Sequence, residues 1–180
     1  MALAHLPTPL DRAERLAAAV GLGDVWVKRE DLSGLGLGGN KARQIEALMG
    51  AVLADGADTV VTTAAAQSNF CRTTAAACAR LGLRCVLLLR GRPDAPVSGN
   101  LLLDTLFGAD IEFIDIYDPY DPAITARLDV MTARLRAAGR RPHVLHLPGR
   151  TGALGAAGTV SLAEELAAQW DAEGIDPVAV

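Results

Sequence analysis

Lys41 ends the chain's densest glycine run, Leu32-Ser33-Gly34-Leu35-Gly36-Leu37-Gly38-Gly39-Asn40-Lys41. Glycines permit positive φ and let the backbone approach a ligand closely. A lysine leaving such a turn can reach a flat ligand lying against the backbone, and as a neutral amine it can form an imine. Other readings of the turn compete. Gly34-x-Gly36-x-x-Gly39 matches the dinucleotide fingerprint, with Asp55 or Asp58 as the ribose acid. Against it, Arg29 to Ser33 separate the glycines from the preceding strand, whereas the fingerprint wants its first glycine near the strand end. A P-loop needs Gly-Lys-Ser/Thr, so Asn40 before the lysine and Ala42 after it exclude that motif. A plain tight turn with a solvated Lys41 is the remaining alternative.

A second polar group falls at Gln67-Ser68-Asn69, after a β-branched apolar run and at the opening of a helix that continues through Arg72, Ala75, Cys78 and Ala79. Free N–H groups and the positive dipole end suit a carboxylate there, and the carboxyl end of a parallel strand is where open α/β sheets bind ligands. Gln67, Ser68 and Asn69 are therefore the candidates for a substrate carboxylate. The plainer reading makes Ser68 or Asn69 an N-cap. Cys71, Cys78 and Cys85 lack the spacing of a zinc site or disulfide framework and read as buried thiols, so no metal is expected. His5, His143 and His146 read as structural, and Tyr117 and Tyr120 do not define a catalytic acid.

The elements that must position these groups follow from periodicity. Apolar runs at 59–62, 85–89, 111–116 and 143–147 read as strands, alternating with helices at 100–107, 124–138 and 154–170. A further strand is expected over 25–31. After Lys41, the residues Ile45, Leu48, Met49, Val52 and Leu53 form one apolar stripe, and Gly56 closes that helix. Alternating β and α units predict an α/β fold with a parallel sheet covered on both faces. With 51% hydrophobic residues the chain can bury a substantial core. Its net charge of −4 and scattered basic residues argue against a nucleic-acid partner. Apolar runs are too short to cross a bilayer and the N-terminus has no signal-like segment, which predicts a cytoplasmic protein.

Taken together these residues resemble the D-cysteine desulfhydrase and 1-aminocyclopropane-1-carboxylate deaminase family of fold-type II pyridoxal-phosphate enzymes. The match rests on Pro7-Thr8-Pro9-Leu10, Lys28-Arg29-Glu30-Asp31, Gly38-Gly39-Asn40-Lys41-x-Arg43, Gly56-Ala57-Asp58-Thr59, Gln67-Ser68-Asn69, Gly99-Asn100-Leu101-Leu102-Leu103-Asp104 and Gly152-Ala153-Leu154-Gly155-Ala156. It implies a three-layer αβα arrangement, the tryptophan synthase β-like fold, truncated in its larger domain. Residues 1–42 would begin the larger domain, 43–147 form the smaller one, and 148–180 return to the larger.

The resemblance also implies roles. Lys41 would carry pyridoxal 5'-phosphate as a Schiff base and move the substrate α-proton, Asn69 would hydrogen-bond the cofactor's phenolic oxygen, and Ser68 with nearby amides would hold the substrate carboxylate. A D-amino acid would then undergo β-elimination, giving sulfide, ammonia and pyruvate in the desulfhydrase branch. The chain departs from the family pattern at Phe70, where a histidine or glutamine is usual, at Gln44, where lysine is common, and at Arg150-Thr151, in place of Ser-Asn. The family's glycine-rich phosphate loop would follow the end of this sequence. The partners implied are a small amino-acid substrate and a second copy or a complementary C-terminal chain. A noncatalytic amino-acid-binding remnant of the fold is the competing function.

Overall fold

A computed structural model describes residues 2–94, 96–146 and 151–179. It begins with an antiparallel hairpin of β1 (Leu10–Arg12) and β2 (Trp26–Lys28), joined through helix α1 (Glu14–Val20). The strand expected over 25–31 stops at Lys28, because Glu30–Leu32 wind into a 3-10 turn. In this turn Arg29 bonds both Asp31 and Asp11. Helix α2 (Lys41–Ala54) follows, and its stripe buries Ile45, Leu48, Met49 and Val52 while Leu53 is exposed.

The remaining elements are β3 (Thr59–Ala65), α3 (Asn69–Leu81), β4 (Arg84–Arg90), α4 (Gly99–Leu106), β5 (Asp110–Ile114), α5 (Pro122–Ala137) and β6 (Pro142–Leu145). Each strand that sequence periodicity predicts from 59 to 147 is present, although the one expected over 111–116 ends at Ile114 and the one expected over 143–147 ends at Leu145, Leu147 lying outside the described residues. All pairings in this sheet are parallel and its order is β5-β4-β3-β6. Strand residues alternate between two cores. Val60, Cys85, Leu87 and Leu89 meet Ile45, Leu48, Phe70 and Ala75 on one face. Val61, Val86 and Leu88 meet Ile124, Leu128, Met131 and Leu135 on the other. The result is the three-layer αβα arrangement.

Since β4 and β6 flank β3, the chain leaves β3 on one side and returns on the other. This is a topological switch point, the place where such sheets hold ligands beyond their carboxyl ends. Ser68 and Asn69 lie just there, after β3.

The helix expected over 154–170 is two helices, α6 (Gly152–Ala157) and α7 (Val160–Glu173). The break falls at Gly158-Thr159, where the backbone presses on α2. A Cβ at Gly158 would lie 2.5 Å from Arg43 O and 2.9 Å from Ala47 Cβ. Among the described residues no helix is long and apolar enough to cross a membrane.

Candidate active site

The glycine turn owes its shape to close packing. Gly38 has φ 74 and ψ −171, a region that only glycine visits readily, and a Cβ there would lie 1.9 Å from Asp31 O. At Gly36, also with positive φ, a Cβ would come within 2.7 Å of Ala76 Cβ on α3. Bare backbone is therefore required for the turn to lie against that helix. Arg72, one turn into α3, donates from Nη2 to Gly38 O at 3.0 Å. Lys41 emerges three residues later as the first residue of α2. The dinucleotide reading fails here, because the strand before the glycines belongs to an antiparallel hairpin and a 3-10 turn intervenes.

Lysine is scarce. The chain has two, Lys28 and Lys41. Lys28 Nζ is ion-paired to Glu165 and also donates to Thr8 O at 2.6 Å and Gln169 Oε1 at 2.7 Å. Lys41 has no hydrogen bond or ion pair among the described residues, and it is only partly exposed.

What fixes the start of α2 is a buried ionic node that sequence reasoning did not foresee. Arg43, 2% exposed, donates twice to Glu30 at 2.8 Å and to both oxygens of Glu165 at 3.0 Å. Thr8 joins through its hydroxyl to Glu30 and through its N–H to Glu165. Burial alone would raise the Glu165 carboxyl, but hydrogen bonds from Arg43 and Lys28 bring it down to about 2. Hydrogen bonds from Arg43 likewise hold Glu30 below the usual range, against burial. Thr8, Glu30 and Arg43 all lie in segments that carry the family resemblance. Glu165 stands 122 residues from Arg43, and nothing local marks it as the partner.

At the start of α3, Ser68 is the N-cap, its Oγ accepting from Phe70 N at 3.1 Å and Cys71 N at 3.3 Å. Its own N–H goes to Ala65 O. Asn69 N–H makes no bond among the described residues, and the Ser68 hydroxyl proton remains available to donate. A carboxylate here would meet those two donors and the dipole end of a 13-residue helix.

Gln67 is differently engaged. Its Oε1 accepts from Asn100 N at 2.8 Å and its Nε2 donates to Ser98 O at 3.0 Å, so it caps α4, whose Ser98 makes no side-chain cap of its own. Gly99 permits this approach, since a Cβ there would lie 2.5 Å from Gln67 Oε1. Asn69 accepts at Oδ1 from Asn100 Nδ2 at 2.9 Å.

Phe70 is buried in the main core, where it acts through packing. Gln44 lies against α6, its Cβ 3.8 Å from where a Gly155 Cβ would be. Arg150 lies outside the described residues. The three cysteines are buried and free, and burial pushes the Cys71 thiol up to about 12. His143 Nδ1 pairs with Asp55 at 2.8 Å, a structural contact. A cavity of about 920 Å³ opens between the hairpin and the end of α7, lined by Leu10, Trp26, Leu166 and Trp170. It includes none of Lys41, Ser68 and Asn69.

A lysine amine without a partner among the described residues, a helix start suited to an anion and the NH2 end of the Asn69 amide suit a flat aldehyde cofactor. Residues 1–180 match the family described as pyridoxal-phosphate dependent enzyme. The chain belongs to that family. Curated relatives include the D-cysteine desulfhydrases of Klebsiella pneumoniae, 43% identical over 97% of this chain and 53% of that protein, and of Salmonella paratyphi A, 40% identical over 92% and 50%. The chain thus spans about half the length of the curated relatives it matches. A crystal structure of an ACC deaminase homologue superposes with TM-score 0.80 at 35% identity, covering 92% of this chain and 49% of that one. Escherichia coli diaminopropionate ammonia lyase in apo form shares the fold, with TM-score 0.73 at 20% identity over 96% and 50%. The expected pyridoxal-phosphate-dependent family and the tryptophan synthase β-like fold are therefore borne out.

Proposed function

We propose that the chain is the N-terminal portion of a pyridoxal-phosphate-dependent amino-acid lyase of the D-cysteine desulfhydrase type, releasing ammonia and a 2-oxo acid. The observation that carries this reading is the freedom of Lys41: of two lysines, one is locked by Glu165 and the other, at the glycine turn braced by Arg72, has no partner among the described residues. When bound, the cofactor supplies an electron sink for charge developing at the substrate Cα. Lys41 Nζ anchors it, then holds and moves the substrate α-proton. Asn69 Nδ2 would donate to the cofactor's ring oxygen. The Ser68 hydroxyl and the Asn69 N–H would bind the substrate carboxylate at the start of α3. Residues 1–42 and 148–180 belong to the larger domain and 43–147 to the smaller. The remaining cofactor contacts, the phosphate site included, come from the C-terminal half by which the curated relatives exceed this span, carried in the same protein or on a complementary chain, and the enzyme works in the cytoplasm.

Borohydride reduction of the chain mixed with pyridoxal phosphate, followed by peptide mass mapping, tests the assignment. The expected adduct lies on Lys41 and disappears in Lys41→Ala. An adduct confined to Lys28 would sink the proposal, and calorimetric binding of an amino acid without any adduct would favour the noncatalytic reading.

A further inference from the structure

The geometry points to Asn100, on α4, as a positioning residue that fixes which end of the Asn69 amide faces the ligand. This rests on the cofactor role proposed above for Asn69. Side-chain amides have a donor end and an acceptor end, and the hydrogen-bond network decides between them. Asn100 Nδ2 lies 2.8 Å from Gln67 O, a backbone carbonyl that can only accept, so this atom must be the donor nitrogen. Its second hydrogen points to Asn69 at 2.9 Å, and Asn69 must therefore offer oxygen. The Asn69 NH2 group is thereby left on the other side, free to donate.

The start of α4 is held firmly enough to do this. Gln67 binds Asn100 N and Ser98 O, two backbone partners whose donor and acceptor roles are fixed, so its own orientation is unambiguous as well. One carbonyl thus fixes two side-chain amides and one donor, all within the Gln67-Ser68-Asn69 corner and the first turn of α4. A ring oxygen carrying negative charge would meet hydrogen. With the Asn69 amide reversed it would meet another oxygen.

Two variants separate positioning from simple support of the helix. In Asn100→Ala the Asn69 amide loses its tether and samples both orientations, which should weaken cofactor retention roughly five-fold, the worth of about one hydrogen bond. In Asn100→Asp the introduced carboxylate only accepts, so Asn69 turns its NH2 inward and presents oxygen to the ligand. Retention should then fall further, by roughly fifty-fold. A role limited to α4 predicts the opposite order, because an acidic residue in the first turn of a helix is favourable.

The chain has three asparagines, Asn40, Asn69 and Asn100, so asparagine-selective 15N spectra resolve the side-chain amides without any cofactor. The Asn69 pair is expected to move in both variants. Cofactor retention in Asn100→Asp equal to or better than in Asn100→Ala, or an unmoved Asn69 pair, would overturn the inference. Where the parent chain itself forms no Lys41 adduct, the proposed function fails and the spectra alone decide on Asn100.

Discussion

Asp104 is expected to make the protein less stable as the pH rises from about 4 to about 7, and Asp104→Asn to abolish that loss. The side chain is 0% exposed and neither carboxylate oxygen has a hydrogen-bond partner among the described residues. Burial pushes its carboxyl from 3.8 up to about 7, against the pull of Arg72. Between those values the folded chain keeps a proton that the unfolded chain has released. Folding then binds more protons than unfolding, so stability falls with rising pH across this window. At 1.36 kcal/mol per pKa unit, a shift of roughly three units corresponds to about 4 kcal/mol at about pH 8.

Asparagine has nearly the shape of the neutral acid and never ionises. The variant should match the parent near pH 4 and exceed it by about 4 kcal/mol near pH 8, a rise in Tm of roughly 10 °C for a chain of this size. Urea unfolding followed by circular dichroism, in parallel across this pH range, measures the difference. His146, whose imidazole burial holds below its usual range, adds an opposite slope just below neutrality. That slope is common to both proteins and cancels in the difference. A flat difference curve, or a variant weaker than the parent near pH 8, would refute the reasoning by showing that the Asp104 charge is solvated or paired.

Three other perturbations test the scaffold. Glu165→Gln leaves Arg43 with one carboxylate in a buried site and should cost about 3 kcal/mol at neutral pH by urea titration. It should also remove a loss of stability that the parent shows as the pH falls from about 4.5 toward 2, because a carboxylate held low stabilises only while ionised. Gly38→Ala introduces a Cβ onto Asp31 O at a glycine-only φ, and should cost about 3 kcal/mol or more and prevent the borohydride adduct at Lys41. Gln67→Ala removes two bonds to α4 and should cost about 1–2 kcal/mol by thermal unfolding, while leaving the Lys41 adduct in place.

Much of the sheet is legible in the sequence because local periodicity encodes burial: the runs around Val60 and Leu87 alternate between two apolar surroundings, and Ile45, Leu48 and Val52 recur at helical spacing. The Ser68 cap is legible for the same local reason. What fails to show is whatever depends on distant partners. An alanine-rich run with two glycines reads as a continuous helix, since each costs only about 1 kcal/mol there by propensity, yet at Gly158 contact with Arg43 O breaks it. Gln67 looks like a ligand-binding residue until α4, over thirty positions along, is seen to occupy it. Nothing near Arg43 announces Glu165, because a charge in sequence does not name its counterion. The hairpin strand β1 has only three residues, too few for a periodic signal.

Scarcity of amines has a further consequence. The chain carries fifteen arginines beside its two lysines, and guanidinium stays protonated at any workable pH. An aldehyde entering this protein finds abundant positive charge but almost no side chain with which it can condense. Proteins studded with lysine collect adventitious adducts that blur any titration with such reagents. Here the background is nearly silent, and with Lys28 clamped by Glu165 an amine-directed reagent finds, besides the chain's α-amino group, one side chain.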